Sequence, residues 1–224
     1  MSSVAATRKR FSSRKRRNPE ASRARLEAVG ERLFAERGYD GVTVAMISSE
    51  ARLNRRMLYH YFGNKEGLYR AVIGRAYERL AAMEAELADA AAPAEDLVER
   101  MIRAYYEFLG AHPGIVRLLT WENLRQGRTA QTLDIASAKT PILEALRESM
   151  AQGKREGRFR GSVDERQLLV SCMALSFFYF SNRYTLSQSV GVDFGGEDAV
   201  ERRIRHVVRL VLDGIRAGNV RCES

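Results

Sequence analysis

Apolar residues recur every three to four positions along most of the chain, a spacing that is typical of amphipathic helices. The first repeat follows Asn18-Pro19-Glu20, in which an N-capping Asn, a Pro at the first helical position and an acidic first turn predict a helix start. The repeat continues through Leu26, Val29, Leu33 and Phe34. Gly38 supplies the stop, so the pattern predicts one long helix before residue 38.

Three more helix starts follow at closely spaced capping residues. Two helices are short and separated by Arg52-Leu53, and the third is long. The caps and their predicted helices are Thr43 with 44–51, Asn54 with a helix through Tyr61, and Asn64 with 65 to about 87. Two short helices joined by a tight turn match helix-turn-helix geometry.

The remaining pattern is also helical. Helices are predicted from Pro93 to about Gly110, over 115–125, over 135–156 with a kink or restart at Pro141, from the capping-box pattern Ser162-Val163-Asp164-Glu165 to about Ser187, and through Val200–Ile215. No segment alternates apolar and polar residues convincingly, so no sheet is expected. The predicted fold is all-α: a flexible basic arm at 1–17, a three-helix helix-turn-helix domain at 18–64, a helical bundle at 65–217 and a flexible tail at 218–224.

The positive charge is concentrated in the first third of the chain. The net charge is +9; residues 1–70 hold 16 Lys/Arg against 7 Asp/Glu, whereas 71–224 hold 21 of each. Residues 1–17 alone carry seven positive charges and no acidic residue. This asymmetry predicts a polyanionic partner for the first third, either nucleic acid or an anionic membrane, although a basic surface without a partner stays an alternative.

The segment from Arg23 to Val72 resembles the N-terminal DNA-binding domain of TetR-family transcriptional regulators. The resemblance rests on Leu33-Phe34-Ala35-Glu36-Arg37-Gly38-Tyr39, on Thr43-Val44 with Ile47, and on Leu58 through Leu68. It implies phosphate contacts at Thr43, Tyr59, His60 and Lys65. It also implies a homodimeric repressor with a ligand-binding C-terminal part. Two positions depart from the family: Arg52 stands where Gly is common, and Met57 where a small hydroxyl residue is common.

The residues of the second short helix fit DNA contact on physical grounds as well. Asn54, Arg55 and Arg56 occupy its first turn, where side chains can reach base edges and where the helix terminus favours phosphate. Tyr59 and His60 follow one turn later and can donate to phosphate oxygens. In the arm, we expect Arg14, Arg16 and Arg17 to contact DNA. The alternatives are a solvated face for the arginines and a core position for Tyr59.

Catalytic and metal-binding motifs are missing from the sequence. The three histidines are scattered, and no nucleophile-elbow, P-loop, dinucleotide-binding or H-E-x-x-H pattern occurs. Cys172 and Cys222 cannot form a disulfide framework, and no stretch reaches the length of a membrane span. We therefore expect a cytoplasmic protein that is not an enzyme, with no cofactor, no metal and no membrane partner.

Aromatic residues in the neutral C-terminal part are candidates for ligand contact. These residues are Tyr105, Phe108, Trp121, Phe177 and Phe178, with Glu122 beside them. Ordinary core packing is the alternative for each aromatic residue; Glu122 and Arg183 can either orient a polar ligand or be solvated. The resemblance implies that the last two helices pair with a second subunit. This makes the apolar stripe of the final helix a candidate interface, at Val200, Ile204, Val208 and Val211.

The prediction is a homodimer that binds double-stranded DNA at a palindromic operator. We expect it to act as a repressor and to respond to an unidentified, largely apolar small molecule. A constitutive nucleic-acid-binding protein without an effector is the main alternative, and a membrane-surface protein anchored by the arm is a third.

Overall fold

The computed structural model describes residues 19–88, 93–191, 193–194, 196 and 198–217. The helices are α1 (Pro19–Arg37), α2 (Val44–Glu50), α3 (Arg55–Phe62), α4 (Lys65–Leu87), α5 (Ala94–Ala111), α6 (Pro113–Leu124), α7 (Ile135–Ala138), α8 (Thr140–Arg155), α9 (Glu165–Val190) and α10 (Ala199–Ile215). A 3-10 turn at Ala130–Thr132 and one isolated bridge between Phe159 and Arg216 complete the described secondary structure. The predicted all-α fold is confirmed.

The starts of the three helices that follow α1 are set by side-chain caps. Thr43 accepts a hydrogen bond from the Met46 N–H at 3.2 Å, and Asn64 accepts one from the Gly67 N–H at 2.8 Å. Asn54 caps α3 in the same way through the Arg56 N–H at 2.9 Å. Each cap contributes about 1 kcal/mol to helix stability. The cap predicted at Asn18 lies outside the described residues.

Several helix boundaries differ from the prediction, mostly by one or two residues, whereas the restart predicted near Pro141 is present. The cap of α9 is Asp164, which accepts a hydrogen bond from the Gln167 N–H at 2.8 Å, so the predicted start at Ser162 is two residues too early. Ser162 lies in the preceding turn, whereas Asp164 has the extended backbone that an N-cap needs. Between α7 and α8 the helix restarts, and Pro141 falls in the first turn of α8, where no N–H is required.

The side chains pack into two main cores that share one helix. The first core joins α1, α2, α3 and the beginning of α4, with Leu118 of α6 added to it. The second joins α5, α8, α9 and α10. Within α4, Leu68 and Ile73 belong to the first core and Leu80 to the second. Because α4 is an unbroken helix of about 35 Å, it links the two parts rigidly.

The apolar stripe of α10 faces inward. Ile204, Val208 and Val211 are buried in the second core, and Val200 is partly buried against it. This position corrects the prediction that these four residues form the subunit interface. A regular apolar stripe indicates only that a helix has a buried face; here α5 of the same chain covers that face. Leu210, on the outer side of α10, is 53% exposed.

Candidate nucleic-acid interface and internal cavities

Helix α3 divides its residues between the first core and the surface. Leu58 is fully buried and Phe62 packs partly against the same core. Arg55 and Arg56 are exposed and form no ion pair with any described residue. Tyr59 is 52% exposed, so the alternative that it is a core residue does not hold. The exposed face of α3 therefore presents two free guanidinium groups beside a helix N-terminus.

Three other residues predicted to contact DNA also hold the domain together. The oxygens of Thr43 and Asn54 accept backbone hydrogen bonds as helix caps, which leaves the Thr43 hydroxyl proton and the Asn54 amide N–H groups for a ligand. Lys65 Nζ donates to the carbonyls of Tyr39 and Val42, both at 3.1 Å, and lies 3.9 Å from the Tyr39 ring centroid. One of its three donors remains, so Lys65 can both close the α1–α2 loop and meet a phosphate. His60 is exposed on α3. Arg14, Arg16 and Arg17 lie outside the described residues.

The turn between α2 and α3 contains a strained position. Arg52 has φ 52°, in the left-handed region that glycine adopts readily and other residues avoid. This explains why glycine is common at this position in proteins with the same motif. Met57, the second departure, packs partly against the first core, so much of its side chain is turned away from solvent.

Arg125, at the end of α6, contacts three residues of the N-terminal part of the chain. The Arg125 guanidinium lies 3.9 Å from the Tyr39 ring centroid and 4.8 Å from that of Tyr69. It also lies 3.5 Å from Glu66 Oε2, at the start of α4. Burial raises the pKa of Tyr39 to about 12, with a further contribution from Glu66. Trp121 adds a steric contact, because a Cβ atom at Gly38 would come within 2.9 Å of its ring.

Glu122 has an internal role. Its Oε1 accepts hydrogen bonds from the backbone N–H groups of Thr129 and Ala130, at 2.6 and 2.9 Å. The side chain is 1% exposed and caps the turn that follows α6. Oε1 therefore has a structural role, whereas Oε2 is buried without a hydrogen-bond partner among the described residues, so the role of Glu122 in orienting a ligand stays a prediction. Arg183 lies partly exposed over the Tyr184 ring, 4.8 Å from its centroid.

A cavity of about 310 Å³ lies between α4, α5, α6 and α9. Its wall is mostly apolar, and it opens beside Val170, which is 56% exposed. The wall is formed by Tyr77, Leu80, Tyr105, Leu109, Leu119, Asn123, Val170, Met173, Ala174 and Phe177. We call this space the α4–α9 cavity. Small-molecule sites usually measure about 300–1,000 Å³, so it has the size for a small ligand.

The structure brings only some of the predicted ligand residues together. Tyr105 and Phe177 line the α4–α9 cavity, and Phe108 packs nearby against His112 and Ile115. Trp121 lines a separate surface groove between α6 and α9. Phe178 is 52% exposed on the outside of α9. Aromatic composition alone could not separate inward from outward neighbours such as Phe177 and Phe178.

The sequence reasoning missed a buried charge pair beside this cavity. Glu84 is 1% exposed, forms an ion pair with Lys139 and accepts a hydrogen bond from the Tyr105 hydroxyl at 2.5 Å. Burial, together with Glu84, raises the pKa of Tyr105 well above its usual value. A signal was present in the sequence, because Glu84 follows Leu80 by four residues and so occupies an apolar position of the α4 repeat.

The described residues offer little support for other chemistry. No three His, Cys, Asp or Glu side chains among them gather into a possible metal site. Within the same residues, no helix combines the length and apolar character needed to cross a bilayer. Burial raises the pKa of the Cys172 thiol to about 12, which disfavours the reactive thiolate.

Comparisons with known proteins agree with this arrangement. Residues 28–72 match the family described as bacterial regulatory proteins, tetR family, and residues 93–211 match the tetracyclin repressor-like C-terminal domain. The HTH-type transcriptional repressor NicS of Pseudomonas putida is 31% identical over 83% of this chain and 88% of its own length. The repressor SCO4008 of Streptomyces coelicolor is 26% identical over 88% and 98%.

A solved structure shows the same fold. The ketosteroid transcriptional regulator KstR2 of Mycobacterium tuberculosis superposes with a TM-score of 0.65 and 21% identity, over 88% of this chain and 95% of that one. Both parts of the chain match their respective family descriptions, and the N-terminal match spans the helix-turn-helix segment described above. The chain belongs to the TetR family and is a DNA-binding transcriptional regulator.

Proposed function

We propose that this regulator is a cytoplasmic repressor that binds a palindromic operator as a homodimer and is controlled by a small molecule. The relatives NicS and SCO4008 are named as transcriptional repressors, which supports the direction of regulation. The observation that carries DNA contact is the free pair Arg55 and Arg56 at the N-terminus of α3. There, two exposed arginines lie in the same helical turn as the free N–H groups of the helix start, an arrangement that suits major-groove binding.

The proposed DNA contacts divide into two classes. Arg55 and Arg56 can pair with guanine edges, and the Asn54 amide can reach a base or a phosphate. Thr43 lies at the start of α2 and Lys65 at the start of α4, whereas Tyr59 and His60 lie on α3 itself. All four side chains carry donors that suit phosphate oxygens. Phosphate contacts fix the position of the domain, and base contacts select the sequence.

We assign the subunit interface to the outer side of α9 and α10. Phe178 and Leu210 are 52% and 53% exposed there. Large exposed apolar side chains on adjacent helices are typical of an association surface. A two-fold pairing through this side would present two copies of α3 to successive major grooves, and such a dimer reads inverted half-sites.

The α4–α9 cavity favours an effector-controlled protein over a constitutive nucleic-acid binder. Leu119 and Asn123 of α6 form part of its wall, and the same helix carries Trp121 and Arg125 to the DNA-binding domain. A ligand that shifts α6 can therefore change the position of α3 in each subunit. A constitutive binder needs neither the cavity nor this connection.

A selection of bound fragments from random duplex DNA tests the proposal. We expect enrichment of one inverted repeat whose half-sites are separated by about one helical turn or a multiple of it. Analytical ultracentrifugation of the complex on the selected fragment should show two chains per repeat. Enrichment of no sequence, or of a single half-site bound by one chain, would contradict the proposal.

A further inference from the structure

The Glu84 carboxylate has one oxygen that the described residues leave unused. Its Oε1 accepts from the Tyr105 hydroxyl and from the Lys139 ammonium group. Its Oε2 is buried and has no hydrogen-bond partner among the described residues. Buried polar atoms in folded proteins are almost always hydrogen-bonded, so an unsatisfied carboxylate oxygen requires an explanation.

The charge pair lies next to the wall of the α4–α9 cavity. Tyr105 belongs to the wall and also bonds to Glu84. Met173 belongs to the wall too, and its Sδ lies 4.0 Å from Lys139 Nζ. Leu80, a third wall residue, precedes Glu84 by one turn of α4. Met173 is unbranched and can change rotamer readily, so the cavity wall next to the pair is adaptable.

We propose that the α4–α9 cavity binds a small, neutral, mostly apolar molecule that donates one hydrogen bond to Glu84 Oε2. This inference rests on the proposed function, because it names the chemical class of the effector. The apolar wall favours an aromatic or aliphatic body. The unused oxygen calls for an O–H or N–H donor at one end of that body.

The charge balance at the pair selects a neutral ligand. Glu84 and Lys139 already neutralise each other, and the pair is almost wholly enclosed, with side chains 1% and 16% exposed. A ligand carboxylate or ammonium group would add a buried charge without an opposite partner, and burying such a charge is strongly unfavourable. A ligand with only acceptor atoms would leave Oε2 unsatisfied. A neutral donor therefore satisfies both requirements.

Three bicyclic probes of similar shape test the donor requirement. Indole carries one N–H donor, benzothiophene has neither a donor nor a strong acceptor, and quinoline has only an acceptor nitrogen. We expect indole to bind the full-length protein about tenfold more tightly than benzothiophene, the effect of one hydrogen bond to a charged acceptor. Quinoline should bind no better than benzothiophene. Calorimetric titration measures all three affinities.

The location is tested by nuclear magnetic resonance with carbon-13-labelled methionine methyl groups. Indole should shift the Met173 methyl signal in proportion to its occupancy. Saturable shifts confined to other methionines would place the probe elsewhere and overturn the assignment. Equal affinities for indole and benzothiophene in the wild-type protein would overturn the donor requirement.

The substitution Glu84→Gln should reverse the preference for indole over quinoline. Tyr105 and Lys139 both donate, so the glutamine carbonyl must face them and its amide NH₂ must occupy the Oε2 position. Quinoline should then bind more tightly than indole. Glu86→Gln, an exposed change two residues later on α4, should leave the wild-type order intact. If indole still binds Glu84→Gln more tightly than quinoline, the role of Glu84 is overturned. If this variant does not fold, the ranking of the three probes in the wild-type protein and the shift of the Met173 methyl signal decide the ligand assignment.

These measurements are independent of DNA. If the DNA selection fails while indole binds at Met173, the proposed regulatory function fails and the ligand assignment stands. If the selection succeeds while the probes bind without donor preference, the ligand assignment fails and the DNA-binding function stands.

Discussion

The DNA-binding domain and the C-terminal bundle expose opposite kinds of surface. Arg52, Arg55 and Arg56 stand free on the turn and the first residues of α3, while the outer sides of α9 and α10 expose Phe178 and Leu210. The excess positive charge of the chain lies entirely in its first third. The contrast indicates that one domain is built to meet a polyanion and the other to meet apolar partners.

The interiors of the two parts differ in the charge of the buried polar groups that lack a hydrogen-bond partner. The first core encloses mainly apolar and aromatic side chains, and its capping oxygens are bonded to helix N–H groups. The second part encloses Glu84 with an oxygen that no described residue bonds. The first part also contains two unpartnered buried hydroxyls, those of Ser48 and Tyr69, but both groups are neutral. An unsatisfied group beside a cavity is expected where a ligand completes the structure.

The apolar outer side of α9 and α10 should give the largest effect when changed. Phe178→Glu combined with Leu210→Glu places charges on the proposed interface and should yield folded monomers. Because a monomer reaches only one half-site, operator binding should weaken at least about a hundredfold. Sedimentation velocity and fluorescence anisotropy measure the two effects.

The buried stripe of α10 supplies the contrast for this experiment. Val208→Asp with Val211→Asp buries charge within the protomer and should unfold the bundle rather than release folded monomers. A folded dimer with full affinity after the Phe178 and Leu210 changes would show that the interface lies elsewhere.

The free arginines of α3 should give the next largest effect. Arg55→Ala or Arg56→Ala should weaken operator binding about five- to a hundredfold and relax the base preference at one position per half-site. Arg25→Ala, an exposed change on α1, is the matched control. Competition with operators carrying single base changes measures the preference. Unaltered preference in both variants would reduce these arginines to phosphate contacts.

Deletion of residues 1–17 should act on affinity without changing the half-site sequence. Every phosphate that the truncated protein no longer neutralises should reduce the magnitude of the log–log salt slope by about 0.9. The helix-turn-helix is intact in the truncated chain, so only flanking A·T-rich positions should change in preference. Anisotropy titrations between low and physiological salt measure the slope. Identical slopes for the two proteins would indicate that Arg14, Arg16 and Arg17 do not reach DNA.

Arg125 should be important for the connection between the two parts. Arg125→Lys keeps the charge but loses the planar stacking on Tyr39 and Tyr69, and should lower the free energy of unfolding by about 1–2 kcal/mol. Arg128→Lys, an exposed change three residues later, should be neutral. Urea denaturation measures both. Equal stability of the two variants would mean that the stacking contributes nothing.

The smallest expected effect concerns backbone strain at Arg52. Arg52→Gly removes a left-handed non-glycine residue and should stabilise the domain by up to about 1 kcal/mol, because the relief of strain exceeds the added entropy of the unfolded chain. Gln126→Gly tests the same exchange at φ 62° in the loop after α6. Thermal unfolding measures both. A destabilised Arg52→Gly protein would indicate that the arginine side chain has a structural role.

The contrast between the two parts also explains where sequence reasoning succeeded. Thr43, Asn54 and Asn64 cap the helices predicted from them, because capping involves atoms only a few residues apart. The start of α9 was misplaced by two residues, since Ser162 and Asp164 both have suitable side chains and the backbone decides between them. Local chemistry therefore located the helices and left their ends open by one or two residues.

Contacts between distant helices could not be predicted in the same way. The stripe on α10 was visible in the sequence, but its partner could have been α5 or a second subunit. Glu122 looked like a polar group available to a ligand, yet a loop folding back brings the Thr129 and Ala130 N–H groups to it. Each outcome depends on which part of the protein packs against the helix. The periodicity of apolar residues along a helix does not identify its packing partner.

The sequence by itself determined the helices, the charge division and the DNA-binding motif, because these follow from spacing, capping and composition within short stretches of chain. Only the tertiary structure decided that Phe177 faces a cavity while Phe178 faces outward, and that Glu84, Tyr105 and Lys139 meet. The three residues come from α4, α5 and the residue between α7 and α8, up to 55 positions apart. Their meeting depends on the packing of whole helices, and the residue order along one helix does not encode it.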